Sequence, residues 1–226
     1  MLERLPGNDA GVSFGDMHSW FDWGLRLSNV SIGLPEPRTV YVDVPGRNGS
    51  LDLTEAQHGG IVYGNRTLVF TFDALTSYEH WSMLLSAIAN AIQGRKVRII
   101  LDSDPDFYYV GRCSIETEKA NSVLASITIT CDCDPFKRPT TSLEEFAGMQ
   151  ISSPSAWTEI SIQGWPFNEA LEITCSADML LKYNSVEYEL GRGLNIMSQI
   201  DLAAGKNLLY LKGTGTVTIT QQGGML

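Results

Sequence analysis

Cysteine, histidine, basic side chains and long apolar runs are all scarce in this chain of 226 residues, and each scarcity removes a class of function. Four cysteines (Cys113, Cys131, Cys133 and Cys175) are too few and too scattered for a small secreted disulfide scaffold. No apolar run reaches the ~20 residues that span a bilayer. The opening Met1-Leu2-Glu3-Arg4 lacks a basic region followed by a hydrophobic stretch, so the chain is expected to be made and kept inside a cell until assembly. Without a leader, the Asn-x-Ser/Thr matches at Asn29, Asn48 and Asn65 read as chance. Lys and Arg number 16 against 26 acidic residues, a formal charge of −10. Up to Arg138 there are 12 basic and 17 acidic residues, and after it 4 and 9, so neither half offers a net basic footprint for nucleic acid. DNA passing such a surface would be repelled and would slide.

What is present is alternation. Apolar and polar residues follow one another at period two, broken by Gly, Pro, Asn and Asp, which predicts a mainly β protein. Val40, Val42 and Val44 share one strand face, and Leu68, Phe70 and Phe72 another. The clearest strand places Val123, Ala125, Ile127, Ile129, Cys131 and Cys133 inward, opposite Ser122, Ser126, Thr128, Thr130 and Asp132. One long helix is predicted: Thr76-Ser77-Tyr78-Glu79 reads as a capping box, Trp81, Leu84, Leu85, Ile88 and Ile92 fall on one face, and Gly94 stops it. A hairpin packed under that helix follows, with Val97 to Leu101 turning through Asp102-Ser103-Asp104-Pro105-Asp106 into Phe107 to Ile115.

At Asp134-Pro135-Phe136-Lys137-Arg138-Pro139 the alternation stops, and the domain boundary is placed there: residues 1–138, then 139–226. The second part is predicted as an all-β sandwich with strands Glu159 to Gln163, Ala170 to Cys175, Leu180 to Tyr183, Val186 to Leu190, Asn207 to Lys212 and Thr216 to Gln221. Asn184-Ser185, Gly205-Lys206 and Gly213-Thr214-Gly215 supply its turns.

Chemistry is sparse, and the sequence assigns no catalytic, metal-binding or cofactor-binding residue. Cys131-x-Cys133 lacks two further ligands at suitable spacing and extends an apolar stripe, so it reads as core. The turn from Asp102 to Asp106 has calcium-loop oxygens at three positions, but Phe107 stands where Gly is needed and Cys113 where Glu is needed. A solvated hairpin turn is expected instead. His18, His58 and His80 have no nucleophile elbow or zinc-protease motif around them and are expected at solvent or at interfaces. Gly191-Arg192-Gly193 lacks the strand-to-helix setting for cradling phosphate and reads as a turn. Trp157 and Trp165 fit either core anchoring, the commoner use of Trp, or a sugar-binding face.

Between Thr39 and Glu55 the chain reads T-V-Y-V-D-V-P-G-R-N-G-S-L-D-L-T-E, a strand, a tight exposed loop and a returning strand. Arg47 and Asn48 at its tip, with Asp43 and Asp52 beside them, suit pairing across a subunit boundary as well as an ordinary charged hairpin tip. The run from Val44-Pro45-Gly46-Arg47-Asn48-Gly49 to Ser50-Leu51-Asp52-Leu53 resembles the most recognisable motif of the distal tail proteins of siphoviruses and related prophages of mainly Gram-positive hosts. Phe14 to Ser19 followed by Trp23-Gly24-Leu25 is similar to the family's opening, Pro35-Glu36-Pro37-Arg38 to the run before its first long strand, and Asp134-Pro135-Phe136 to its domain junction. Ile200 to Asn207 followed by Gly213 to Ile219 resembles the closing hairpin of its second domain.

The resemblance implies an N-terminal ring (belt) domain of β-sheet plus helix and a C-terminal galectin-like, jelly-roll β-sandwich. It implies a non-enzymatic virion component at the tail tip, made in the bacterial cytoplasm. Six copies would form a ring joining the tail tube protein to the tail-associated tip protein, with a channel for the tape-measure protein and later the DNA. Pro45, Gly46, Arg47, Asn48, Gly49 and Asp52 are the candidate subunit-interface loop. No cofactor is implied, nor any specific grip on nucleic acid. A host-surface glycan is the partner under the adhesion reading of the second domain.

Overall fold

The computed structural model describes residues 11–56, 60–75, 78–119, 124–140 and 143–226. The chain divides into two compact units, Met1–Lys137 with Leu226, and Arg138–Met225. Strand dominates both.

The first unit is built on the alternation of three long strands, β6 (Arg66–Leu75), β8 (Asp104–Lys119) and β9 (Leu124–Cys133). Leu68, Phe70, Phe72 and Ala74 of β6 lie in register with Cys131, Ile129, Ile127 and Ala125 of β9, and all eight are buried. Period-two side chains reach a single face, so one face is dry and the other polar. Val123 of the predicted stripe lies outside the described residues. The remaining strands are β1 (Val12–Phe14), β2 (Met17–His18), β3 (Arg26–Ile32) and β7 (Lys96–Leu101), in the order β2-β1-β7-β8-β9-β6-β3. A separate two-stranded ribbon is formed by β4 (Tyr41–Val42) and β5 (Leu51–Asp52).

This sheet is strongly curled. Four strand spacings separate β1 from β6, about 19 Å in a flat sheet. Yet the Phe14 ring lies 5.6 Å from that of Phe70 and 6.4 Å from that of Phe72, both edge-on. The two ends of the sheet therefore face each other across one core, which Trp23 and Leu25 also enter.

Helix α1 (Tyr78–Ile92) connects β6 to β7. Ile88 and Ile92 are buried in the same core, with Trp81 and Leu84 packed against it, as the helical spacing predicts. Gly94 ends the helix at φ 69°, a conformation that costs a side-chain-bearing residue more. Thr76 and Ser77 of the predicted capping box lie outside the described residues. The β7–β8 hairpin turns at Asp102-Ser103, with Leu101 opposite Asp104.

The second unit comprises β10 (Arg138–Pro139), β11 (Leu143–Gly164), β12 (Phe167–Asn168), β13 (Leu171–Cys175), β14 (Met179–Tyr183), β15 (Val186–Leu190), β16 (Gly193–Met197), β17 (Gly205–Gln221) and β18 (Gly223–Gly224). Its organising element is β17. The segment expected as two strands of a closing hairpin around a Gly213-Thr214-Gly215 turn is instead one continuous strand. Gly213, Thr214 and Gly215 stay paired with Ser153, Ser152 and Ile151 of β11, so the backbone kinks without reversing. Both glycines have positive φ, 151° and 148°, and a Cβ on either would run into Met179.

Opposite that kink, β11 carries extra residues between Ser153 and Thr158. Such a bulge lets the outer strand follow the bend. The first half of β17 pairs with β14 and the second half with β13, and β15 and β16 extend the two sides. Inward residues from both halves, among them Ile160, Leu181 and Leu211 from one and Ile151, Ile173 and Ile219 from the other, form one core. The sheet is thus folded over as a sandwich. Asn184 and Ser185 make the β14–β15 turn with φ of 46° and 68°, the two-residue geometry that matches strand twist. Strand β16 was not foreseen in the sequence.

Because Phe14 joins opposite ends of the curled sheet, Phe14→Ala is expected to lower the unfolding free energy by about 3–5 kcal/mol, measured by urea denaturation monitored on far-ultraviolet circular dichroism.

Candidate functional sites

The segment between β3 and β6 leaves the sheet as an arm held by its own backbone hydrogen bonds. Gly33 N donates to Thr67 O at 2.9 Å, Gly64 N to Glu36 O at 2.8 Å and Arg38 N to Val62 O at 2.8 Å. Pro37 and Tyr63 are bridged, and the β4–β5 ribbon pairs Tyr41 with Asp52 and Val42 with Leu51. Arg66 fixes the root. Its side chain is buried, with Nε donating to Gly33 O at 2.9 Å, a second nitrogen to Pro135 O at 3.3 Å, and the guanidinium over the Tyr109 ring.

The arm is apolar and exposed. Leu34 and Tyr41 are 74% and 60% exposed, and Ile32, Val40, Val42, Val44, Leu53, Ile61 and Val62 are exposed as well. Val40, Val42 and Val44, which alternate as a buried strand face would, thus belong to no core cluster among the described residues: their ribbon has two strands and all three side chains are exposed. Loose apolar residues are ordinary on a surface, but this many in one segment mark an interaction surface.

At the tip, Pro45 and Gly46 form the turn, with Arg47 N donating to Val44 O at 3.1 Å, and Gly46 and Gly49 both adopt positive φ. The two acids expected to flank Arg47 serve the arm itself. Asp43 accepts from Ser50 Oγ at 2.6 Å, and Asp52 accepts from Thr54, whose hydrogen bonds hold its carboxyl below the usual range. Arg47 and Asn48 project into solvent.

The acidic turn and His18 differ from expectation. His18 is largely buried, with Nε2 3.3 Å from Asp102 and Nδ1 accepting from the backbone N–H of Trp20 and Phe21. Gly11, lacking a side chain, leaves the space the imidazole fills. Asp104 pairs with Lys137 at 2.6 Å. Two of the turn's three carboxylates are therefore engaged by neighbours that the sequence places 84 and 33 residues away. His80 is exposed on α1, and His58 lies outside the described residues.

Cys113, Cys131 and Cys133 are buried together, with the Sγ atoms of Cys113 and Cys131 3.1 Å apart across paired strands. The neighbouring Cys113 thiol and burial push Cys131 far up, and burial pushes Cys133 up to about 12. Thiols held neutral in this way are poor nucleophiles. Among the described residues no group of three or more His, Cys, Asp or Glu is placed to hold a metal, and no helix is long and apolar enough to cross a membrane.

The second unit carries a cleft of about 670 Å³, lined by Trp157, Lys182, Tyr183, Asn184, Lys206 and Tyr210 among others. Lys182 and Lys212 each bring Nζ to 5.7 Å from the Trp157 ring. Trp157 sits in the bulge of β11, which is why it faces this cleft and not the core. Trp165 lines neither the cleft nor the core cluster: half-buried, it packs so closely on Gly223 that a Cβ there would collide with the indole.

These features define a two-unit, mainly β protein with a curled sheet-and-helix unit bearing an exposed arm, followed by a folded-over sandwich. The same fold occurs in the crystal structure of SPP1 Dit (gp 19.1), described as a paradigm of hub adsorption apparatus in Gram-positive infecting phages. The likeness has a TM-score of 0.64 at 14% identity and covers 96% of this chain and 99% of that one. No family model and no curated protein sequence matches the chain.

Because Cys133 stays protonated in the folded chain up to about 12, whereas an unfolded thiol ionises near ~8.5, stability is fully present below about pH 8.5 and lost as pH rises towards 12. The expected slope is about −1.4 kcal/mol per pH unit for this thiol, read from urea midpoints at pH 8 to 11, and Cys133→Ala removes that part of it.

Proposed function

We propose that this chain is a structural component of the tail tip of a long-tailed bacteriophage, a distal tail protein with no catalytic step in its role. Its copies close into a hexameric ring that joins the tail tube protein to the tail-associated tip protein and leaves a channel for the tape-measure protein and then the DNA. On this reading the first unit is the ring-forming belt, its helix included, and the second a galectin-like domain. The observation that carries the reading is the exposed apolar arm from Ile32 to Val62 on a fold shared with a phage hub protein.

Apolar surface is worth roughly 25 cal/mol per Å² when removed from water, and a second copy of the chain supplies a cover for it. A closed ring repeats one such contact at every subunit, which turns a modest pairwise affinity into a stable assembly. The tip residues Pro45, Gly46, Arg47, Asn48, Gly49 and Asp52 dock against the neighbour or the tube, with Arg47 supplying a charge. The formal charge of −10 per chain repels DNA phosphates from the assembly.

A second reading concerns the sandwich, which would adsorb the virion to host-wall glycan. It is favoured by the aromatic cleft around Trp157, since sugars are commonly held against indole faces.

The first reading is tested by the particle mass of the full chain, alone and with its tube partner, and by negative-stain images; a monomer under both conditions contradicts it. Replacing Tyr41 and Val42 with Asp is expected to lower ring formation at least about tenfold, while the exposure of both residues leaves the melting temperature within about 2 °C of the parent. Arg47→Glu is expected to weaken assembly in light scattering, and normal hexamers in that variant would remove the tip from the interface.

A further inference from the structure

We propose that the Trp157 cleft binds an anionic glycan, with a sugar ring lying along the indole, an anionic group met there by Lys182 and Lys212, and a further one met by Lys206 along the cleft. The proposal rests on the adhesion reading of the second unit and specifies the ligand that reading leaves open.

The argument starts from charge. After Arg138 the chain has 4 basic residues against 9 acidic ones, so cations in this unit are few. All three of its lysines nevertheless fall along one cleft: Lys182 and Lys212 stand over the Trp157 ring, and Lys182 and Lys206 line the cleft. They come from two strands, β14 and β17, and no local sequence rule brings them together. The ion pairs among the described residues all lie elsewhere, so none of the three is neutralised by a carboxylate. Two acids flank this row of the sheet: Glu187, in register opposite Lys182 without forming an ion pair, and Glu159, engaged by Tyr210, which its charge holds above the usual phenol range. Lys182 and Lys212 thus bring two ammonium groups without an ion pair to one indole, and Lys206 lies further along β17, about 20 Å from Lys212 at ~3.3 Å per residue, so an anionic chain finds cations at more than one point of the cleft.

The aromatic part narrows the class of anion. Trp157 is carried outward by a bulge whose residues have no partner on β17, and Tyr210 stands on the same outer face. Both ammonium groups stand over the indole, 5.7 Å from its centre, so a ligand that uses the ring and the cations together needs a flat C–H face as well as a charge, and a bare phosphate lacks the first. The floor is rigid. Asn207 Oδ1 accepts from Tyr183 Oη at 2.9 Å and from Ala203 N at 3.1 Å, while its Nδ2 donates to the carbonyls of Ala203 and Gly205. A buried amide with every polar atom satisfied holds the cleft in shape before any ligand arrives. At its rim Asn184 and Ser185, exposed by their left-handed turn, offer side-chain donors and acceptors to sugar hydroxyls.

The test uses the full chain in isothermal titration calorimetry and tryptophan fluorescence. The probes are tetragalacturonate, a glucosylated glycerol-phosphate oligomer, neutral maltotetraose, inorganic phosphate and a thymidine oligonucleotide. Binding of either anionic glycan, weakening at least about tenfold between roughly 0.05 and 0.5 M salt, supports the proposal, and which one binds identifies the anion as carboxylate or phosphodiester. Lys182→Gln with Lys206→Gln is expected to weaken binding about tenfold or more, and Trp157→Ala to abolish it. The double lysine variant changes only the polar lining and keeps the parent melting temperature, so loss of binding in it is not loss of fold. Maltotetraose bound as tightly as the charged glycans overturns the proposal and leaves adhesion standing. Silence with every glycan overturns both. Inorganic phosphate or the oligonucleotide bound as tightly as the glycans overturns the sugar assignment.

Discussion

The edge-on contact of Phe14 with Phe70 and Phe72 forces the first unit's sheet to curl, and the position of the arm follows from that curl. A sheet with one apolar face needs a cover. Helix α1 covers part of it through Ile88 and Ile92, and the sheet's own far end supplies the rest. Strand β3 is then left at the rim, paired only with β6, and the chain beyond it runs outward from an unpaired edge. Edge strands invite pairing with other chains, and proteins usually blunt them. Here the edge is extended into an apolar arm instead, and Arg66 secures its base by giving a buried guanidinium two carbonyl acceptors. Burying an arginine without such partners would cost several kcal/mol, so the root is held where the tip is free.

The two candidate surfaces differ in the physics of what they recruit. The arm exposes large apolar side chains on a chain whose formal charge is −10, so copies attract through area and repel through charge. Were copies to associate through such arms, as proposed, salt would favour the association, because it screens the repulsion and leaves the apolar attraction intact. The cleft works the other way, since its lysines lose their attraction for an anion as ionic strength rises. Salt dependence of opposite sign thus separates assembly from ligand capture in one protein.

Much of this fold is legible in the sequence because period-two alternation is a direct record of facing. The stripe from Ala125 to Cys133, the helix face from Trp81 to Ile92 and the Asn184-Ser185 turn each follow from local spacing. Alternation records two faces without recording whether anything lies on either. Val40, Val42 and Val44 alternate as regularly as the core strands and yet are exposed. Glycine carries a similar ambiguity: Gly213 and Gly215 have the chemistry of a turn, and only pairing with β11 shows a kinked strand. His18 beside Asp102 and three lysines along the Trp157 cleft join distant segments, and no spacing rule predicts them. The candidate sites are the least legible part for that reason.

Strand β17 belongs to both halves of the sandwich, and this has a mechanical consequence. In a sandwich of two separate sheets, tension can slide one layer over the other by breaking only side-chain packing. Here the layers are joined by unbroken backbone through Gly213 and Gly215, with β11 running alongside from Leu143 to Gly164. Sliding one layer over the other must therefore distort two continuous strands as well as break side-chain packing, since β17 crosses the fold line unbroken and β11 crosses it with only a bulge between Ser153 and Thr158. The two layers of this domain are thus one strand pair bent double, and neither layer can shift without the other.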